Sequence, residues 1–222
     1  MDTVALLQRQ AAEREKWWAD LQIFTALALR DSDPGLGFNM AYLFSETDDN
    51  RFSVFLGVRN LLWVGLTQNV AIPDNYTNPG YSGFAEWYRA LRLEGIPDTA
   101  GIFPLTVSGN LNTFSEAQAL VRYARDHMFT NVCIVAPPFH MPRAFMSAIS
   151  VAVREYPELK IYSKPGYVSD WWHEVVKHSQ GIVSGTRAEL IVSEQERIAR
   201  YQEKGDLLSF VEIFRYLANR DK

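Results

Sequence analysis

One cysteine and four histidines in 222 residues exclude an internal disulfide framework and weigh against a zinc site. Cys133 has no intramolecular partner, and its neighbours in NVCIVA read as a buried strand, so an inert core thiol is expected. His127, His140, His173 and His178 are dispersed without the short spacings of zinc ligands, and no metal is expected. Positive charge is not in excess, because 22 Lys and Arg are scattered among 26 Asp and Glu for a net charge of −4. That leaves no electrostatic footprint for nucleic acid or an anionic lipid surface. Long apolar runs are also missing. The opening MDTVALLQRQAAEREKWWADLQIF begins acidic, and Arg9, Glu13, Arg14 and Glu15 interrupt its apolar pattern. It is expected to be neither a signal peptide nor a membrane anchor, as suits a cytoplasmic chain.

What is present is an ordinary globular composition, 47% apolar and 22% charged. A chain of this length buries roughly 70 to 75% of its unfolded surface, enough for a core without metal or disulfide support. Residues 1–36 read as an amino-terminal helical segment closed by the turn DSDPGLG, 37–168 as the core, and 169–222 as a helical extension beside the cleft. In the core, short apolar runs at 41–45 (AYLFS), 61–67 (LLWVGLT), 101–107 (GIFPLTV), 131–137 (NVCIVAP) and 159–165 (LKIYSKP) read as strands. Amphipathic stretches of ten to fifteen residues separate several of them. Alternation of this kind predicts an α/β fold, Rossmann-like and three-layered, around a mainly parallel sheet. The run QNVAIPDNYTNPGYSG reads as a long loop, and long loops in compact domains are often functional.

In such sheets small molecules bind outside the carboxyl ends of the strands, so the polar turns that follow strands are where to look. Four stand out: SETDDNR at 45–51, TQN at 67–69, SGNLNT at 108–113 and PPFHMPR at 137–143. The last sets His140 and Arg143 at a helix start. Histidine exchanges protons near neutral pH, and arginine grips a carboxylate or phosphate with two hydrogen bonds, although a surface histidine and a structural ion pair are the plainer roles. Asn112 and Thr113 sit where a helix begins, and either cap it or orient a ligand. Asp49 and Arg51 form either a solvated pair or part of a wall. Thr67, Gln68 and Asn69 are expected to end a strand and contact ligand. Glu86, on the helix after the long loop, suits the helix dipole whatever its role. Trp171 and Trp172 either pack the extension or line the cleft.

With these residues placed, VCIVAPPFHMPRA resembles the strand, short turn and His-Met-x-Arg-Ala helix opening of the YdcF/SanA/ElyC family of Rossmann-like proteins. NLNTFSEA at 110–117 is similar to that family's second motif, in which an acidic residue and Asn fall on Ser115 and Glu116. Asp49-Asn50-Arg51 resembles its first-helix Asp-x-Arg, GIP at 95–97 its Gly-Val-Pro, and ERIARYQEKGD at 196–206 the carboxyl-terminal segment of the YdcF branch. The chain departs from the pattern where the family has glycines, with SETDD after the first run and Thr67-Gln68-Asn69 after the second. A tightly cradled phosphate is therefore disfavoured. The family's acidic residue before Gly-Val-Pro falls on Gly83, with Glu86 as a displaced substitute.

The resemblance implies a cytoplasmic binder of a nucleotide-type small molecule, with S-adenosylmethionine the named candidate and a transferase activity conceivable. His140 and Arg143 would be the catalytic pair, and Asp49, Arg51, Thr67, Gln68, Asn69, Glu86, Asn112, Thr113 and Glu116 the ligand contacts. Two other readings stay open. One is a hydrolase or transferase for a phosphorylated or sugar substrate, with His140 as acid or base. The other is a non-catalytic partner-binding protein that has lost the family's carboxylates.

Overall fold

The computed structural model describes residues 3–30, 37–74, 80–167, 170–175, 185–220 and 222. Its core is a five-stranded, all-parallel sheet built from β1 (Met40–Leu43), β2 (Asn69–Pro73), β3 (Gly101–Leu105), β4 (Asn131–Ala136) and β5 (Lys160–Pro165). In space the order is β3-β2-β1-β4-β5. The chain therefore starts mid-sheet, builds to one edge, and then crosses back to lay β4 and β5 on the other side of β1. Between β1 and β4 the connecting loops depart in opposite directions, which is the position where doubly wound sheets open a crevice at their carboxyl ends.

Strand side chains alternate between two apolar layers, as strands covered on both faces require. Met40, Tyr42, Val132 and Ile134 face one cluster, and Ala41, Leu43, Cys133 and Val135 face the other. The first layer is covered by α1 (Thr3–Leu29), α4 (Thr113–Asp126), α5 (Met141–Glu155) and α7 (Phe210–Arg220). The second is covered by α2 (Asp48–Trp63) and α3 (Phe84–Leu93), through residues such as Phe55 and Trp87. The three-layer α/β fold expected from the alternating pattern is thus the fold observed. No described helix is long and apolar enough to cross a membrane.

One predicted strand is a helix. Leu61 to Trp63 finish α2, and the turn that follows ends it: Gly65 lies at φ +75°, its N–H bonds to Leu62 O at 3.2 Å, and Leu66 N–H reaches back to Leu61 O at 2.9 Å. This is the glycine-terminated stop in which the last helical carbonyls are satisfied by the chain doubling over them. The true second strand, Asn69–Pro73, lies inside the stretch read as a loop. The extension is not helical throughout either. Glu174–Val175 (β6) pairs antiparallel with Gly185–Thr186 (β7), and only then come α6 (Arg187–Glu203) and α7. The amino-terminal segment is one helix. The predicted turn at 31–37, apart from Gly37, lies outside the described residues, as do 75–79 of the long loop and the helical reading of 176–184 with His178.

The extension docks on α5 and on the edge strand β5. Arg154 of α5 donates to the carbonyls of Gly205 (2.9 Å) and Asp206 (2.6 Å) just past α6, and Ser150 Oγ accepts from Leu208 N at 3.0 Å. On the open edge of β5, Tyr216 accepts from Ile161 N and donates to Leu159 O, while Arg220 donates to Ile161 O at 2.9 Å. Side chains thereby satisfy strand groups that would otherwise template another strand. The docking brings α6 against the start of α5, beside the crevice.

Candidate functional site

Three of the four polar turns meet at the carboxyl rim. The parallel register Leu43↔Val135 sets the Ser45-Glu46-Thr47 turn after β1 beside Pro137 to His140 after β4. The turn after β3 delivers Asn112 and Thr113 at the start of α4. A buried polar network joins them. His140 Nδ1 lies 2.5 Å from Glu46 Oε1, and its Nε2 lies 3.1 Å from Thr113 Oγ1. Thr113 Oγ1 also accepts from Arg143 Nη1 at 2.5 Å. Arg143 in turn makes a two-pronged pair with Glu194 of α6, Nε to Oε2 and Nη2 to Oε1, the latter at 3.2 Å. Arg197 stands 3.6 Å from Glu194.

Arginine only donates, so Thr113 Oγ1 accepts from Arg143 and keeps one lone pair and its own proton for the contact with His140 Nε2. With that proton directed at Nε2, the ring's N–H lies on the Glu46 contact. Carboxylate, imidazole and hydroxyl are thus in series, the order used where a histidine moves the proton of a hydroxyl and a carboxylate holds the ring in place.

Glu116, one turn into α4, anchors the β1 loop from beneath. Its carboxyl accepts from Ser45 N at 2.8 Å, Ser45 Oγ at 2.6 Å and Tyr42 Oη at 3.0 Å. None of Glu46, Glu116, His140, Arg143 and Glu194 is more than 6% exposed. Burial pushes Glu116 up to about 7, opposed by the hydrogen bonds from Ser45 and Tyr42 and by the Arg143 charge. Burial likewise holds Glu46 well above the usual carboxylate range, reinforced by Glu194 and Glu116 and opposed by Arg143. For Arg143 burial works in the opposite sense, and the Glu194 carboxylate outweighs it to keep the guanidinium charged.

The crevice is closed over by the extension. Arg187, at the start of α6, donates to Asn50 Oδ1 (2.9 Å), Asp49 O (2.8 Å) and Asp170 O (2.9 Å), tying α6 to the first turn of α2. Phe139 packs with Leu190, Trp171 and Ile191. Behind these contacts, Pro137, Pro138, Asn50 and Arg187 line a small cavity of about 10 Å³, room for about one water.

The remaining expected site residues are placed as follows. Thr67 and Gln68 precede β2 and Asn69 opens it, so instead of ending a strand the three lie at the amino rim, the far end of the sheet from His140. Asn69 donates there to Asn39 O at 3.1 Å, and Thr67 Oγ1 accepts from Asn69 N at 3.2 Å. Asn112 caps α4, its Oδ1 accepting from Phe114 N and Ser115 N at 3.0 Å, while Ser115 Oγ accepts from Asn112 N at 3.0 Å. Arg51 pairs with Asp48 at 3.0 Å and stands 3.9 Å from Glu86, which itself holds Arg89 at 2.6 Å. These pairs lie on the carboxyl side but at the surface, apart from the buried network. Asp49 contributes its carbonyl to Arg187. Trp171 packs against Phe139, whereas Trp172 is exposed.

Glu46, Glu194, Ser45 and Tyr42 were not among the expected residues. For Glu46 a signal existed, since it follows the first strand directly at the switch point. For Glu194 none did, because it is one of several glutamates on α6. Compared with known proteins, the chain matches no family model, no curated protein and no solved structure.

Proposed function

We propose that this protein is a hydrolase or group-transfer enzyme for a small molecule, acting at the carboxyl rim with His140 as general base and acid. The observation that carries the reading is the series Glu46–His140–Thr113, with contacts of 2.5 and 3.1 Å, at the switch point of the sheet. Glu46 orients the ring, and Thr113 is the hydroxyl whose proton His140 can take. Arg143 works through Thr113 and Glu194: with its guanidinium paired in two prongs, it positions the hydroxyl instead of clamping an anion. Resemblance to the YdcF/SanA/ElyC family supports the same location, because the motif residues Thr113, His140 and Arg143 are the ones in mutual contact.

S-adenosylmethionine has less support as the ligand. Two of its expected contacts, Thr67 and Asn69, stand at the amino rim, and Arg143 is already paired with Glu194. A purely partner-binding protein would have no use for a proton relay.

A panel of chromogenic phosphoesters, glycosides and acyl esters tests the proposal. Turnover is expected in at least one class, falling about 10²- to 10⁴-fold in His140→Gln, the usual range for a lost general acid–base group. Glu46→Gln should displace the pH profile of whatever activity is found. Absence of turnover across the panel, or activity indifferent to His140, overturns the reading.

A further inference from the structure

The amino-terminal helix poses a separate question. α1 runs for 27 residues, but only its second half is packed into the molecule, through Leu21, Phe24 and Ala28. Every residue from Leu6 to Lys16 is exposed. A helical stretch of about this length standing alone in water is marginal, because nucleation is costly and no packing offsets it.

Positions 6, 9, 13, 16, 20, 23 and 27 lie three and four apart and share one side of the helix. They hold Leu6, Arg9, Glu13, Lys16, Asp20, Ile23 and Leu27. The apolar members are exposed, Leu6 at 38%, Ile23 at 54% and Leu27 at 37%. The charges are antisymmetric about the midpoint between residues 14 and 15. Turned end for end, the row sets Leu6 against Ile23, Arg9 against Asp20 and Glu13 against Lys16, each pair then repeated by the two-fold axis. Within the chain, Arg9 already holds Glu13 at 2.9 Å and Lys16 holds Asp20 at 2.8 Å. Antiparallel pairing would therefore set one Arg9/Glu13 couple against one Asp20/Lys16 couple, closing two four-charge clusters between apolar ends. The same helix in parallel would face like charges at every one of these positions.

We infer that α1 pairs antiparallel with α1 of a second copy of this chain, along the row Leu6 to Ile23. The interface is isologous, so one surface serves both partners and the assembly closes at two. The paired row spans roughly 26 Å at 1.5 Å per residue. Beside it lies an open groove of about 630 Å³ lined by Trp17, Trp18, Phe210 and Val211, which the partner helix would partly cover.

Charge reversal tests this directly in the full-length chain by sedimentation velocity across a concentration series. The wild type is expected to shift from monomer to dimer, less so at high salt. Arg9→Glu with Lys16→Glu gives an all-acidic row, and Glu13→Lys with Asp20→Lys an all-basic one. Each is expected to be monomeric alone, and an equimolar mixture to recover the dimer. Recovery in the mixture also shows that neither variant failed through misfolding of α1. A wild type that stays monomeric, a dimer that survives both reversals, or a mixture that does not reassociate overturns the inference.

Discussion

The two rims of the sheet are both polar, but with different chemistry. At the amino rim neutral amides tie the strand starts together. Asn39 Oδ1 accepts from Thr130 N and Asn131 N at 3.0 and 3.1 Å, Asn131 Oδ1 accepts from Asn39 N at 2.9 Å, and Asn131 Nδ2 donates to Gly37 O at 3.0 Å. Each amide there satisfies backbone groups and is satisfied by them, and none can change charge. At the carboxyl rim three glutamates, an arginine and a histidine are taken out of water together. Removing an ion from water costs several kcal/mol even after the surroundings relax, and attraction between partners offsets this only where geometry is good. A strand end can be closed with asparagines, as the other rim shows. Charges gathered at the switch point are therefore where chemistry is to be sought.

That contrast can be broken or sharpened by substitution. The largest effect is expected at Arg143. Arg143→Met takes the two-pronged partner from buried Glu194 and leaves it Arg197 at 3.6 Å, for a loss of about 3 kcal/mol in chemical denaturation, much of it recovered when Glu194→Leu is added. Additive losses instead of recovery would mean that the pair is not coupled. Next comes Glu116. Its carboxyl is raised to about 7 from an ordinary 4.5, so the folded protein holds this proton more tightly than the unfolded chain. Its contribution is most favourable below about pH 4.5 and is lost as pH rises through 7, a decline of about 3 kcal/mol. Wild type should therefore lose stability between pH 5 and pH 8 relative to Glu116→Gln, and parallel pH curves would refute the assignment. The smallest effect belongs to the amino rim. Asn39→Ala should cost about 0.5 to 1.5 kcal/mol, because water reaches the strand-start N–H groups it frees, with no change in any turnover that depends on His140.

Much of the fold was legible in local pattern. NVCIVAP is apolar on both faces and has too few residues for a helix, so β4 was readable, and the prolines in PPFHMPR marked the turn and helix start that carry His140 and Arg143. LLWVGLT was misread because an apolar run of that length fits a strand or the last turn of a helix equally well. Gly65 was the available clue. The error then moved Thr67, Gln68 and Asn69 from one end of the sheet to the other, since the residues before a parallel strand lie at the opposite rim from those after it. Glu116 and His140 are legible as candidates, but their partners Ser45 and Glu46 stand in a turn where no local pattern marks them out from Asp49 and Arg51.

The alternation of strands and helices and the burial of both sheet faces follow from residues a few positions apart, and the balance of charge follows from composition. Which carboxylates lose water, and which cations meet them, depends on contacts made across the fold. Glu46 and His140 are 94 residues apart, and Arg143 and Glu194 are 51 apart. No local pattern reports on such contacts, since solvation and charge pairing are set by whatever the fold brings alongside.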